Sequence, residues 1–302
     1  MKLATVEIHK EEKTAALVNE EYVIDLEEAG KAYNVGYRFP RTMLEAICDG
    51  ENFLAEAEKI TASAYNHLDA SYVYPLSSKE ISLKAPIPVP RKNIICAGKN
   101  YADHAIEMGS AADIPDHPII FTKSPTTVIG PEDTIDPHID VTDALDYEGE
   151  IAVIIGKKGK GIKAEEAEDY LFGCTLLNDV TARDLQSKHK QFFLGKSLDT
   201  FCPMGPVIVP LKHWKGKTMS LKTLVNDEIR QETTTDKMIF SISQLIEVIS
   251  RGMTLEPGDI IATGTPAGVG KGFNPPKYLQ EGDEVVVQSD RIGKLKNTVN
   301  KK

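Results

Sequence analysis

The sequence predicts an α+β protein, mainly β, made of a small N-terminal α+β unit and a larger β-rich one. Three observations carry this expectation. Short apolar runs of strand length recur along the chain, and helical spacing is confined to a few segments between them. Those segments do not alternate regularly with the strands, which favours a mixed, largely antiparallel arrangement over a doubly wound sheet. Finally, Pro86-Ile87-Pro88-Val89-Pro90 holds the chain extended and excludes helix or central strand. It sets a boundary between residues 1–85 and residues 86–302.

In chain order, Leu3–Ile8 and Ala15–Val18 read as short strands. Residues 41–48 and 53–66 carry helical spacing, with Leu54, Ala57 and Ile60 separated by threes. Beyond the prolines, Asn93–Cys96, Ile119–Thr122, Ile151–Ile155, Cys174–Val180, Val207–Val209, Leu221–Val225, Ile260–Thr263 and Glu284–Gln288 read as strands. Helical patterns lie at 102–108, 164–172 and 241–252. No internal repeat is evident.

Composition excludes several classes. The chain has 302 residues, 41% hydrophobic and 26% charged, as in ordinary globular proteins. Its 45 acidic residues outnumber 35 basic ones, giving a net charge of −10, which argues against a general nucleic-acid partner. Lys157, Lys158 and Lys160 read as a solvated loop. No apolar run approaches the roughly 18–20 residues that span a bilayer, so no membrane insertion is expected. The opening residues read as a strand and not as a signal peptide, which makes the cytoplasm the expected compartment. Cys48, Cys96, Cys174 and Cys202 are far apart and form no C-x-x-C pair; Cys96 and Cys174 read as small buried apolar residues.

Five stretches can carry chemistry. In Tyr147-Glu148-Gly149-Glu150, positions i and i+2 share a strand face, so Glu148 and Glu150 project together before a strongly apolar run. Two adjacent buried carboxylates repel unless a cation compensates them, and a divalent metal would do so. The same residues also suit a solvated strand end. Asp179, in Leu177-Asn178-Asp179-Val180, ends another apolar strand and offers a third carboxylate, or a cap for the following turn. Three carboxylates without His or Cys favour a hard octahedral cation, Mg²⁺ or Mn²⁺, over Zn²⁺.

His104 and Glu107 are i, i+3 neighbours on one helical face. Such a pair suits a general base activated by its carboxylate, and equally an exposed helix pair. Lys196, in Gly195-Lys196-Ser197, is an ordinary solvated lysine unless a metal lies near; there it would hold a carboxylate or a developing enolate. Thr263-Gly264-Thr265-Pro266-Ala267-Gly268-Val269-Gly270 is a turn-rich loop whose amides could bind an anion, although it does not fit a P-loop. Gly159-Lys160-Gly161-Ile162-Lys163-Ala164 matches a dinucleotide fingerprint, but without the tight turn or the βαβ surroundings that motif needs.

Together and in this order, these pieces resemble the fumarylacetoacetate hydrolase superfamily. The resemblance rests on Gly98–His104 with Glu107, Phe121–Pro125, Glu148–Glu150, Asn178–Gln186, Gly195–Ser197 and Thr263–Gly270, and covers roughly residues 90–300. Residues 1–85 look like the small N-terminal domain of many prokaryotic members. The resemblance implies a mixed β-roll, a homodimer and an Mg²⁺ or Mn²⁺ site ligated by Glu148, Glu150 and Asp179. It implies that His104 and Glu107 form a catalytic dyad on a lid, with Lys196 beside the metal. Lys123, Arg183, Gln186 and Thr265 would contact substrate. The wording is similar to the subgroup holding acylpyruvate hydrolases and oxaloacetate decarboxylases. The Asp179–Lys196 connection looks shorter than in that subgroup and would border the distal substrate pocket.

The expected reaction is metal-dependent C–C cleavage of a small 2-oxo acid through a pyruvate enolate, foremost oxaloacetate decarboxylation. Acylpyruvate hydrolysis is the close alternative, with water activated by His104–Glu107. Decarboxylation or isomerisation of an aromatic-degradation diacid is a third. A non-catalytic binding or regulatory protein on this scaffold would lack a metal ligand, and none is missing. A dinucleotide oxidoreductase is the remaining rival.

Overall fold

The computed structural model describes residues 1–300. Lys2–Ile8, Glu11–Val18 and Tyr22–Asp25 form an antiparallel meander. Through Leu3↔Ile208 the meander joins the strand Cys202–Pro210. The same sheet continues through Leu171–Asn178, Gly149–Ile155, Ile260–Ala262, Ile94–Gly98 and Ile119–Lys123. One large sheet therefore runs across the Pro86–Pro90 junction. A second sheet orders Glu228–Thr234, Ser220–Val225, Glu284–Ser289, Gly293–Val299 and Thr134–Ile135. Most pairings are antiparallel, as expected; Ile260–Ala262 with Ile94–Gly98 is one of the parallel ones.

The strand Gly149–Ile155 is buried along its whole length because both its faces are covered. Ile151, Val153 and Ile155 pack with Leu221, Val287 and Leu295 of the second sheet and with Leu245 and Ile249 of the helix Ile242–Ser250. Ala152 and Ile154 face the other way, toward Leu3, Ile24 and the helical residues Met43, Ile47, Phe53 and Ile60. That two-sided burial explains why the segment reads as a continuous apolar run instead of an alternation. Capping boxes at Thr42/Glu45 and Ser241/Gln244 start the helices Met43–Asp49 and Ile242–Ser250.

One local expectation needs correction. Residues 164–172 are not an α-helix: a 3-10 turn spans Ala164–Tyr170 and the strand begins at Leu171. Ala167 is the one buried side chain of that turn, too little apolar face to hold a short α-helix. The glycine fingerprint at 159–164 joins two strands that pair antiparallel, Gly149–Ile155 and Leu171–Asn178, so it is no βαβ crossover. Cys96, Cys174 and Cys202 are buried, Cys48 is exposed, and all four are free thiols. Among the described residues, no helix is long and apolar enough to cross a membrane.

Candidate active site

Antiparallel register assembles the acidic cluster. Gly149 pairs with Asn178 and Glu150 with Leu177, so the start of one strand meets the end of its neighbour. Asn178 Oδ1 accepts from the Glu148 N–H at 3.0 Å, and the Asp179 N–H donates to the Glu148 carbonyl at 2.8 Å. Glu148, Glu150 and Asp179 are buried, and each offers an oxygen within 4.8 Å of the others.

Cations are built around them. Lys196 Nζ donates to Glu148 Oε2 at 2.7 Å and to Asp179 Oδ2 at 2.6 Å. Lys123 Nζ donates to Asp179 Oδ1 at 2.6 Å and to the Val180 carbonyl at 3.1 Å. Arg183 bridges Asp146 through Nε at 2.8 Å and Glu148 through Nη1 at 2.7 Å. Its Nη2 is buried with no partner among the described residues.

Electrostatics separates the two glutamates. Burial would raise the Glu148 carboxyl, but the charges of Lys196 and Arg183 outweigh it and hold the group down to about 2. Glu150 accepts one hydrogen bond, from the Gly264 N–H at 2.7 Å. Burial first, then the charges of Asp179 and Glu148, push its pKa well above the ordinary value. Burial opposes the Lys196 ammonium, yet Asp179 and Glu148 raise its pKa overall. A divalent cation fits this donor set. The three oxygens converge, all are hard donors, and among the described residues no lysine or arginine forms a salt bridge with Glu150.

A cavity of about 290 Å³ reaches the cluster at Glu148 and is lined also by His104, Arg183, Gln186, Lys196 and Thr265 among others. Glu107 lies behind His104: its Oε2 is 3.3 Å from His104 Nδ1, and its Oε1 accepts from the Gly268 N–H at 2.9 Å. Thr265 Oγ1 donates to the Gly149 carbonyl at 2.9 Å and accepts from Gln231 Nε2 at 2.8 Å. Lys123 is placed otherwise than the resemblance implies. It is fully buried, and its hydrogen bonds go to Asp179 and Val180, so it orients a carboxylate from behind. The loop amides thought able to bind an anion are turned to the protein's own carboxylates: Gly264 to Glu150, Gly268 to Glu107, Gly270 and Lys271 to Asp146.

Residues missed at the sequence level also line the site. Asp146 anchors Arg183, and its i, i+2, i+4 alternation with Glu148 and Glu150 was a readable signal. Lys190, Lys271, Phe121 and Phe192 line the cavity, and the Asp179–Lys196 connection supplies Gln186, Ser187, Lys190 and Phe192. Lys271 is half-buried; burial and the nearby Arg183 lower its pKa. Nothing in the local sequence singles out Lys271; Phe121 stands in one of the motifs that carry the resemblance, and Lys190 and Phe192 lie in the connection expected to border the distal pocket.

The family model for the fumarylacetoacetate (FAA) hydrolase C-terminal region matches residues 93–300. The chain belongs to the fumarylacetoacetate hydrolase family. It is 52% identical over 302 residues to the oxaloacetate tautomerase YisK of Bacillus subtilis (strain 168), covering 99% of this chain and 100% of that protein. A fumarylacetoacetate hydrolase from psychrophilic Exiguobacterium antarcticum superimposes with a TM-score of 0.83 at 39% identity, over 100% of both chains. A probable 2-hydroxyhepta-2,4-diene-1,7-dioate isomerase from Mycobacterium abscessus gives 0.76 at 31%, covering 100% of this chain and 99% of that one. The α+β, mainly β class of the sequence is therefore that of the fumarylacetoacetate hydrolase fold. Members of this family are enzymes, and so is this chain.

Proposed function

We propose that the protein interconverts the enol and keto forms of oxaloacetate, with Mg²⁺ or Mn²⁺ held by Glu148, Glu150 and Asp179. The observation that carries this reading is a carboxylate-backed imidazole, His104–Glu107, whose ring lines the same cavity as Glu148 of the three-carboxylate cluster. The full-length likeness to an oxaloacetate tautomerase supports it. Bound there, the cation supplies Lewis-acid polarisation of the C2 oxygen and offsets anionic charge.

The rest of the chemistry belongs to side chains. With His104 Nδ1 turned to Glu107, Nε2 is the nitrogen left for substrate. One base suffices: the imidazole takes the proton of the C2 hydroxyl and returns it to C3. Lys196 has three N–H donors and spends two on Glu148 and Asp179; the third is available to charge at the C2 oxygen. The free Arg183 Nη2 and Gln186 suit the C1 carboxylate. Lys190 and Lys271 line the outer wall and make it positive for the C4 carboxylate. Thr265 borders the same space.

Oxaloacetate decarboxylation, the foremost expectation from sequence, becomes the second reading. It is favoured by the placement of Lys196 beside the site where enolate charge would develop. The proposal extends to a homodimer working in the cytoplasm, on the family resemblance; light scattering on the purified protein checks the first point. The deciding experiment dilutes enol-oxaloacetate into buffer with Mg²⁺ or EDTA and follows decay of the enol ultraviolet absorbance beside pyruvate release. Metal-only rates are subtracted. Enol loss faster than pyruvate formation, abolished by His104→Gln, is the expected result. Matched rates of enol loss and pyruvate release would favour the decarboxylase, and no acceleration of either would overturn both readings.

A further inference from the structure

The short helix Ala102–Glu107 brings His104 to the cavity, and six residues are too few to hold a helix unaided. It is fastened at both ends to one segment. On the N-terminal side, Asn100 Nδ2 donates to the Thr263 carbonyl at 2.8 Å. A Cβ on Gly264 would come within 2.7 Å of Asn100 Cβ, and Gly264 has φ +102. On the C-terminal side, the Gly268 N–H donates to Glu107 Oε1 at 2.9 Å. The bare face of Gly272 lies against the same carboxyl group: the three heavy atoms nearest a Cβ there are Glu107 Oε1, Cδ and Cγ.

We propose that the glycine loop 264–272 is a positioning element, in which the Gly268 amide and the absent side chain of Gly272 hold Glu107 against His104. The role rests on the proposed use of His104 as the base. Glu107 has one oxygen for each neighbour. Oε1 is fixed by Gly268, which leaves Oε2 for His104 Nδ1 and sets which imidazole nitrogen faces substrate. Without the loop, Glu107 at a helix end would turn to water. The same loop holds Glu150 through Gly264, so its amides tie the cation site and the dyad to one backbone.

Glycine 272 supplies a test with an internal control. In Mg²⁺-loaded protein, Gly272→Ala should lower kcat on the order of ten- to a hundredfold, about as much as Glu107→Ala, with KM little changed. In the Glu107→Ala background the obstructed group is gone, so Gly272→Ala should cost nothing further in kcat or Tm. The His104 Nδ1 proton resonance, sheltered by Glu107, should be lost in both single variants. Equal losses from Gly272→Ala with and without Glu107, or a retained Nδ1 resonance, would overturn the positioning role. If wild-type protein does not act on oxaloacetate, the function fails, while the resonance and Tm cycle still decide the role of the loop. If Gly272→Ala alone does not fold but the double variant does, the contact with Glu107 is established by suppression.

Discussion

At the residue scale, the two glutamates of one strand face carry opposite titration behaviour, with separate consequences. Glu148 is held down to about 2, below the ordinary 4.5, chiefly against burial and by Lys196 and Arg183. A depressed carboxyl adds stability above its unfolded pKa and loses it as pH falls toward the folded one. Acid titration of the metal-free protein should therefore remove stability between about 4.5 and 2, measured by urea unfolding at each pH, and Glu148→Gln should flatten that limb. Glu150 shifts the other way. Its proton is favoured in the folded state, so this group contributes stability at low pH that is lost as pH rises through its raised value. A divalent cation ligated by Glu150 would compete with that proton. Calorimetric titration of Mg²⁺ in two buffers of different ionisation heat should show proton release, with tighter binding as pH rises; buffer-independent heats would count against Glu150 as a ligand. At the cavity's outer wall, Lys271→Met should raise KM for oxaloacetate on the order of tenfold, with a smaller effect on kcat. An unchanged KM would remove Lys271 from the carboxylate site.

At the scale of elements, strands were legible where burial left a pattern. The runs ending at Ile155 and Asn178 are apolar because both faces are covered, and their antiparallel register brings Glu148, Glu150 and Asp179 together. Glu228–Thr234 escaped notice because a strand with a single buried residue, itself the polar Gln231, has little hydrophobic periodicity to read. The His104–Glu107 pair was legible by its helical spacing. Its fastening to Gly268 was not, because a backbone amide carries no sequence signal across 161 residues. Lys123 was misplaced because a motif supplies a residue type without saying which side of a carboxylate it occupies. Close strand packing gives a prediction of its own. A Cβ on Gly173 would lie 2.5 Å from the Val209 carbonyl oxygen, on the strand that leads to Asp179. Gly173→Ala should cost about 1–3 kcal/mol of stability in urea titrations and weaken Mg²⁺ binding in parallel. Loss of stability without loss of metal affinity would mean that the strand end is positioned independently of its body.

At the scale of the whole molecule, the Pro86–Pro90 segment raises the question of whether the chain folds as one unit or two. We propose it as a topological junction between residues 1–85 and 86–302, with the two parts melting together. The reason is the shared core: Leu3, Ile24 and Ile47 lie in one cluster with Ile94, Cys96, Ala152 and Ile208, and the main sheet passes from one part to the other at Leu3↔Ile208. Cutting there would expose the face of Ala152 and Ile154, on the strand that begins at the acidic cluster. Leu3 is fully buried, and Leu3→Ala removes side-chain atoms from the middle of this contact. The cost should be about 2–5 kcal/mol. If the core is common property, that loss appears equally in hydrogen exchange along Lys2–Ile8 and in the fluorescence of Trp214, the single tryptophan, which packs in the other core beyond the main sheet. Added Mg²⁺ should then raise both midpoints together, because a ligand of the folded state stabilises whatever unfolds with its site. A Leu3→Ala protein that loses exchange protection in residues 2–8 while Trp214 and Mg²⁺ protection stay at wild-type values would instead show two independently stable domains.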